Sequence, residues 1–198
     1  MPGRPWYLLF AGVNGAGKST LYRSQLWIRP DMPLLIERVN ADEILLEQGG
    51  DWRNQTDQIR AGREAIRRIR SLLANRASFN QESTLSGKTV LRTIREAYGL
   101  GYYVCMHYVG VQSADLANER IAHRMQTGGH SIDAEVVRRR WQSSQDHFLR
   151  AVPLCDETLI FDNTWQMKLV ARLKLGKLSS VYPTHPSITW HRDLLARL

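Results

Sequence analysis

The 198-residue chain predicts a three-layer α/β fold, with a mainly parallel central sheet flanked by helices. Three observations carry that reading. Short apolar runs alternate with longer stretches of helical periodicity. The apolar runs are near-continuous rather than strictly alternating, as in parallel strands covered on both faces. A glycine-rich loop sits between the first apolar run and the helix expected after it. The length fits one domain, residues 1–198, with a helical lid region at about 114–150 and a C-terminal hairpin and helix within 165–198.

The elements follow in order. Residues 6–11 (WYLLFA) and 34–39 (LLIERV) read as strands. Residues 57–73 read as a helix, in which Ile59, Ile66, Ile69 and Leu73 form an apolar stripe at helical spacing. Gly62 interrupts that helix at a cost of about 1 kcal/mol, which points to a close backbone approach. A strand at 76–82, a helix at 88–98 and a long strand at 102–110 come next. Helices at about 114–127 and 133–150 flank a Gly-Gly-His turn, and the last core strand lies at 157–162 (ETLIFD). Residues 165–182 suit a hairpin and 188–197 a final helix, with YPTHP at 182–186 as a break between them.

Composition narrows the function classes. The chain is 43% hydrophobic and 23% charged, with a formal net charge of +8. That balance favours anionic partners, among which charge alone does not choose. Cys105 and Cys155 lie fifty residues apart and form neither a disulfide framework nor a metal site. Cys105, inside an apolar run, reads as a buried thiol. A reducing cytoplasm is expected. No charged-then-apolar leader opens the sequence, and no apolar run approaches the ~18 residues of a membrane span.

Residues 11–20, AGVNGAGKST, carry the strongest signal. Gly12, Gly17, Lys18 and Ser19 fit G-x-x-x-x-G-K-[ST], with a strand before and a helix after, which predicts the P-loop NTPase version of the fold. Gly12, Asn14, Gly15, Ala16 and Gly17 shape a loop whose N–H groups turn inward around phosphate oxygens. The start of the following helix adds its positive end. Lys18 reaches the β- and γ-phosphates, and the Ser19 hydroxyl sits on Mg²⁺, with Thr20 completing the cradle. The motif predicts ATP and Mg²⁺ and names no reaction.

In open α/β sheets, function collects beyond the carboxyl ends of the strands. After the second strand comes NADE, where Asp42 suits a general base, a Mg²⁺ support or a helix N-cap. After the third comes QESTLSG, where Glu82 suits the metal, and Ser83, Thr84 and Ser86 suit a polar acceptor or a helix cap. Arg60, Arg63, Arg67 and Arg70 form a basic stripe, mostly solvated, from which Arg63 beside Gly62 stands out. Arg120 and Arg124, one turn apart, suit the charge spread over a transferring phosphoryl group. Gly128 and Gly129 allow a turn that lets a lid close, and His130 touches a phosphate or caps that turn. Arg138, Arg139 and Arg140 form a charge run of which at least one member faces solvent. His107, within a strand, reads as structural.

Together these pieces resemble the zeta toxin family of P-loop kinases, closest to its short members. The shared motifs are AGVNGAGKST, NADE, AGR at 61–63, SFNQESTLSG at 78–87, RMQTGGH at 124–130, VRRRW at 137–141 and FDN at 161–163. The resemblance implies a cytoplasmic kinase that moves the ATP γ-phosphate to the 3′-hydroxyl of the amino sugar in UDP-N-acetylglucosamine. It also implies a small helical antitoxin protein as partner. By the same resemblance, Lys18 and Ser19 are the phosphate and Mg²⁺ residues, and Asp42 is the base. Glu82 and Thr84 lie near metal and sugar, and Glu64 is a substrate-side carboxylate. Arg120 and Arg124 bind phosphate, and Asn163 falls near the adenine-side loop. The sequence departs from the short members at Ser83, at Ser-Ile-Asp after Gly-Gly-His, and at Trp141. Two other readings stand beside this one: a kinase for another acceptor, such as an antibiotic or a nucleic-acid end, and a non-catalytic ATP-dependent nucleic-acid-binding module. No interleaved aromatic platform for stacking bases supports nucleic acid as partner, and no membrane partner is expected.

Overall fold

Trp6–Ala11, buried at every position, forms the strand β1 that leads into the glycine-rich loop. The computed structural model describes residues 3–33, 36–126 and 132–198. After β1 come α1 (Lys18–Ser24), β2 (Glu37–Val39), α2 (Ala41–Glu47), α3 (Gln55–Ala74), β3 (Phe79–Ser83) and α4 (Lys88–Gly99). Then follow β4 (Tyr103–Gly110), α5 (Ala114–Gln126), α6 (Ala134–Ala151), a single 3₁₀ turn at Val152–Leu154, β5 (Glu157–Asp162), β6 (Lys168–Lys174), β7 (Lys177–Val181) and α7 (Trp190–Leu195).

The strands form one sheet in the order β2-β3-β1-β4-β5-β6-β7. The pairings from β2 through β5 are parallel, and β6 and β7 close the far edge antiparallel. Alternate residues of β1 serve opposite faces. Tyr7, Leu9 and Ala11 join the core under α2, α3, α4 and α7, and Trp6, Leu8 and Phe10 join the core under α1 and α5. Both faces are covered, which is why the central strands read as unbroken apolar runs. The parallel strands therefore end together, and the loops after β1, β2 and β3 share one rim of the sheet.

Several expectations need correction. Of the expected strand 34–39, residues 34 and 35 lie outside the described residues, Ile36 is not strand and Glu37–Val39 is. Its length is set by β3, which starts at Phe79 rather than at residue 76 and pairs Glu37 with Phe79. The chain before β3 still belongs to the end of α3: Ala77 N donates to Leu72 O, and Arg76 has φ 52°. The last helix spans Trp190–Leu195, shorter than 188–197. Helix α3 buries Ala61, Ala65, Ile69, Leu72 and Leu73, while Ile59, two residues off that stripe, is exposed. A Cβ on Gly62 would meet open space, so no close backbone approach explains that glycine. Cys105 and Cys155 are both free and buried, and burial raises both thiols, Cys155 to about 12.

Candidate functional site

The loop after β1 is held by its neighbours. Gly12 has φ 137°, and a Cβ there would lie 2.0 Å from the Val109 carbonyl oxygen of β4. Only glycine fits so close to the next strand. Ala16 N donates to Val13 O at 3.2 Å, which closes the loop before α1 begins at Lys18. Lys18 is buried, and its Nζ donates to Val13 O at 3.2 Å. Burial lowers its pKa, Arg124 and Arg140 add to that, and the carboxylates of Glu82 and Asp42 oppose it. A buried ammonium with one carbonyl partner is poised for an anion.

Beside it, Ser19 Oγ donates to Glu82 Oε1 at 2.9 Å. The other Glu82 oxygen accepts from Arg38 Nη2 at 2.9 Å and from Asn40 Nδ2 at 3.3 Å. Arg38 lies over the Tyr22 ring, 3.6 Å from its centroid, and also holds Glu43. Asn40 is the N-cap of α2: its side chain accepts from Asp42 N at 3.0 Å. Asn40 thus does the capping, and the Asp42 side chain is left to line the cavity. A hydroxyl and two carboxylates offer hard oxygen donors of the kind Mg²⁺ takes, usually shared with phosphate oxygens. The residues fit that ion. Among the described residues there is no set of three or more His, Cys, Asp or Glu to hold a metal unaided.

Lys18, Ser19, Asn40, Asp42 and Glu82 line one cavity of about 700 Å³. Asn14, Gly15, Gly17, Lys18, Ser19 and Thr20 form its floor. Arg120, Arg124, Arg140 and Asn163 also line it, as do Asp42, Glu82, Ser83 and Thr84, and so do Leu45 of α2, Gln58 and Ala61 of α3 and Trp52 between those helices. Arg120 Nη2 donates to Thr164 O at 2.9 Å, and Asn163 Nδ2 donates to Ala16 O at 2.8 Å. Arg140 Nη1 donates to Asn14 Oδ1 at 2.9 Å. Burial first, and then Arg139, lower the Arg140 pKa.

Two expected substrate residues stand apart from this cavity. Arg63 is exposed and does not line it. Glu64 also lies outside the lining and is bound by Arg67 at 2.7 Å and Arg68 at 3.0 Å, which hold its pKa down to about 2. Gly12 and Ala16 shape the loop from behind without lining the cavity. His130, with Gly128 and Gly129, lies outside the described residues. Sequence reasoning passed over Arg38, Asn40 and Trp52, and treated Arg140 only as part of a charge run. Spacing held the clue to Arg140, which follows buried Val137 by three residues and precedes buried Ser144 by four. Arg138, off that stripe, pairs with Asp115 and Glu135, and Arg139 is exposed. Ser83 and Thr84 also border a second cleft of about 450 Å³ between α3 and α4.

The AAA domain family model matches residues 8–151. A Haemophilus influenzae protein described as uncharacterized is 31% identical over 134 residues, covering 68% of this chain and 91% of that protein. Among solved structures, one chain of the PezAT chromosomal toxin-antitoxin system of Streptococcus pneumoniae superimposes with a TM-score of 0.64 at 15% identity, over 100% of this chain and 86% of that one. The AvrRxo1-ORF1:-ORF2 structure with ATP gives 0.68 at 15% identity, over 98% of this chain and 64% of that one. The Pnkp1/Rnl/Hen1 RNA repair complex gives 0.59 at 18% identity, over 76% and 47%. The chain thus spans about half of the RNA repair chain and just under two thirds of the AvrRxo1 chain. At these identities the structural matches show a shared fold. No described helix is long and apolar enough to cross a membrane. With its glycine-rich loop between β1 and α1 and a family match over most of its length, the chain belongs to the AAA domain family.

Proposed function

We propose that the protein is an ATP-dependent phosphotransferase that moves the γ-phosphate to a hydroxyl of a small-molecule acceptor, a UDP-activated amino sugar. One observation supports this above the rest. The phosphate-loop residues Lys18 and Ser19 and the carboxylate of Asp42 line the same cavity, and Leu45, Trp52 and Ala61 line it with them. A cavity of about 700 Å³ lies within the usual range for ligand sites.

In this reading Lys18 neutralises the β- and γ-phosphates, and Ser19 and Glu82 hold Mg²⁺, which would offset phosphate charge. Asp42 accepts the proton of the acceptor hydroxyl. That oxygen forms a bond to the γ-phosphorus as the bond to the β,γ-bridging oxygen breaks and ADP leaves. Arg120, Arg124 and Arg140 balance the charge on the phosphoryl group in transit. Trp52, Leu45 and Ala61 form the apolar wall a ring-bearing acceptor would lie against. The family resemblance favours UDP-N-acetylglucosamine and its 3′-hydroxyl. Because the PezAT structure is described as a toxin-antitoxin system, a small antitoxin protein covering the nucleotide site is the partner we propose.

The test is mass spectrometry of a pool of UDP-sugars incubated with the protein, ATP and Mg²⁺. A phosphate added to one sugar, and absent with Lys18→Ala, is the expected result. Bound or slowly hydrolysed ATP with every sugar unchanged would overturn the acceptor. Phosphate found instead on nucleic-acid ends would move the protein to the alternative substrate class.

A further inference from the structure

Residues 152–198 lie beyond the stretch the family model matches, yet they brace one side of the cavity. Strand β5 ends at Asp162, which is 3% exposed and has no ion-pair partner among the described residues. Three donors satisfy its carboxylate. Trp190 Nε1 and Thr164 Oγ1 donate to Oδ1 at 2.7 and 2.6 Å, and Thr164 N donates to Oδ2 at 3.1 Å. Burying a carboxylate is costly unless such bonds are made. Here they all converge on one loop and one helix.

Helix α7 is tied down independently. Thr189 N donates to Gln112 Oε1 at 2.9 Å, and Gln112 Nε2 donates to Thr189 Oγ1 at 3.2 Å. Gln112 N in turn donates to Thr164 Oγ1 at 3.0 Å. The Trp190 ring packs where Gly110 has no side chain: a Cβ there would lie 2.2 Å from the ring. The network extends to the phosphate loop: Thr164 O accepts from Arg120, and the adjacent Asn163 donates to Ala16 O.

We propose that Trp190 and Asp162 are positioning residues for the nucleotide end of the cavity, acting through Thr164 on Arg120 and through Asn163 on the phosphate loop. The inference rests on the nucleotide-binding reading above. It makes α7 a working part of the site rather than a C-terminal appendage.

Calorimetric titration of the full chain with ATP and Mg²⁺ tests it without needing the acceptor. Trp190→Phe keeps a ring but removes the donor, and Thr164→Val keeps the shape but removes the hydroxyl. Each is expected to weaken ATP binding about three- to tenfold, the size of one lost hydrogen bond. Thr164→Ser, which retains the hydroxyl, is expected to bind as the wild type does. In turnover assays the loss should fall on the KM for ATP and leave the acceptor KM unmoved. Wild-type ATP affinity in folded Thr164→Val, or equal losses in Thr164→Ser and Thr164→Val, would overturn the proposal. If Trp190→Phe fails to fold, the Thr164 pair decides alone. A wild-type protein that binds no ATP would sink the proposed function and this inference with it, whereas a binding wild type with unaltered variants sinks only the inference.

Discussion

Ser19 and Glu82 are 63 residues apart in sequence, and their side chains meet at 2.9 Å. The contact joins the first turn of α1 to the end of β3. It brings together a hydroxyl and a carboxylate that, in the proposed reading, would hold Mg²⁺ and offset phosphate charge. Ser19→Ala removes one of the two donors. Loss of even an outer-shell partner costs metal sites about 10–100-fold, so the Mg²⁺ concentration for half-maximal activity should rise by at least about tenfold. A Mg²⁺ titration with an unchanged midpoint would place the ion elsewhere.

Asp42 and Lys18 are expected to separate kinetically. Asp42→Asn keeps the shape and removes the base, so turnover should fall by about 10²–10⁴ while ATP affinity stays near wild type. Lys18→Ala should lose ATP affinity as well. Paired binding and turnover assays decide, and wild-type turnover in Asp42→Asn would remove it from the base role.

His107 makes stability depend on pH. The ring is fully buried, stacks on Phe10 at 5.2 Å, and has no hydrogen-bond partner for either nitrogen among the described residues. Burial lowers its pKa from 6.5 to about 3, with a smaller push from Arg29. Between those values the unfolded chain takes up a proton that the folded chain refuses, so stability falls as pH drops below about 6.5. His107→Leu should therefore gain on the wild type by about 1.4 kcal/mol per pH unit through that window. Denaturant melts at pH 7 and pH 5 measure it. An equal stability difference at both would show that His107 does not carry the effect.

Gly12→Ala should damage fold and site together. The new methyl would meet the Val109 carbonyl at 2.0 Å in a backbone conformation that side chains avoid. Strain of this kind costs about 1–3 kcal/mol, before any clash is counted. A lowered melting temperature with weakened ATP binding is expected. A variant as stable as the wild type would mean that the loop has a second conformation available.

The central strands were legible because burial on both faces leaves little choice of residue. β1 and β5 match their expected spans, and β4 differs by one residue. The helices α3 to α6 fall within two residues of theirs, since caps and periodicity mark their ends. β2 was not, because an edge strand of three residues takes its length from its neighbour's register. In NADE the sequence offered Asp42 as a possible cap and gave no sign that Asn40 would take that task and leave Asp42 to the cavity. Nor did it show that Trp190 would reach Asp162, since a contact between the end of β5 and the start of α7 depends on how the whole sheet is wound.

The pairing of β4 with β5 sets the smallest piece of this protein worth making. A chain cut at residue 151, where the family match ends, would lack β5. Cys105–Gly110 would then lose the partner now running from Glu157 to Asp162. Those six residues, all buried in the intact protein, would present an apolar edge with unpaired N–H and carbonyl groups. Such edges recruit other chains. The trimmed protein should therefore be found in the insoluble fraction, and its lack of activity there would say nothing about the chemistry of the cavity.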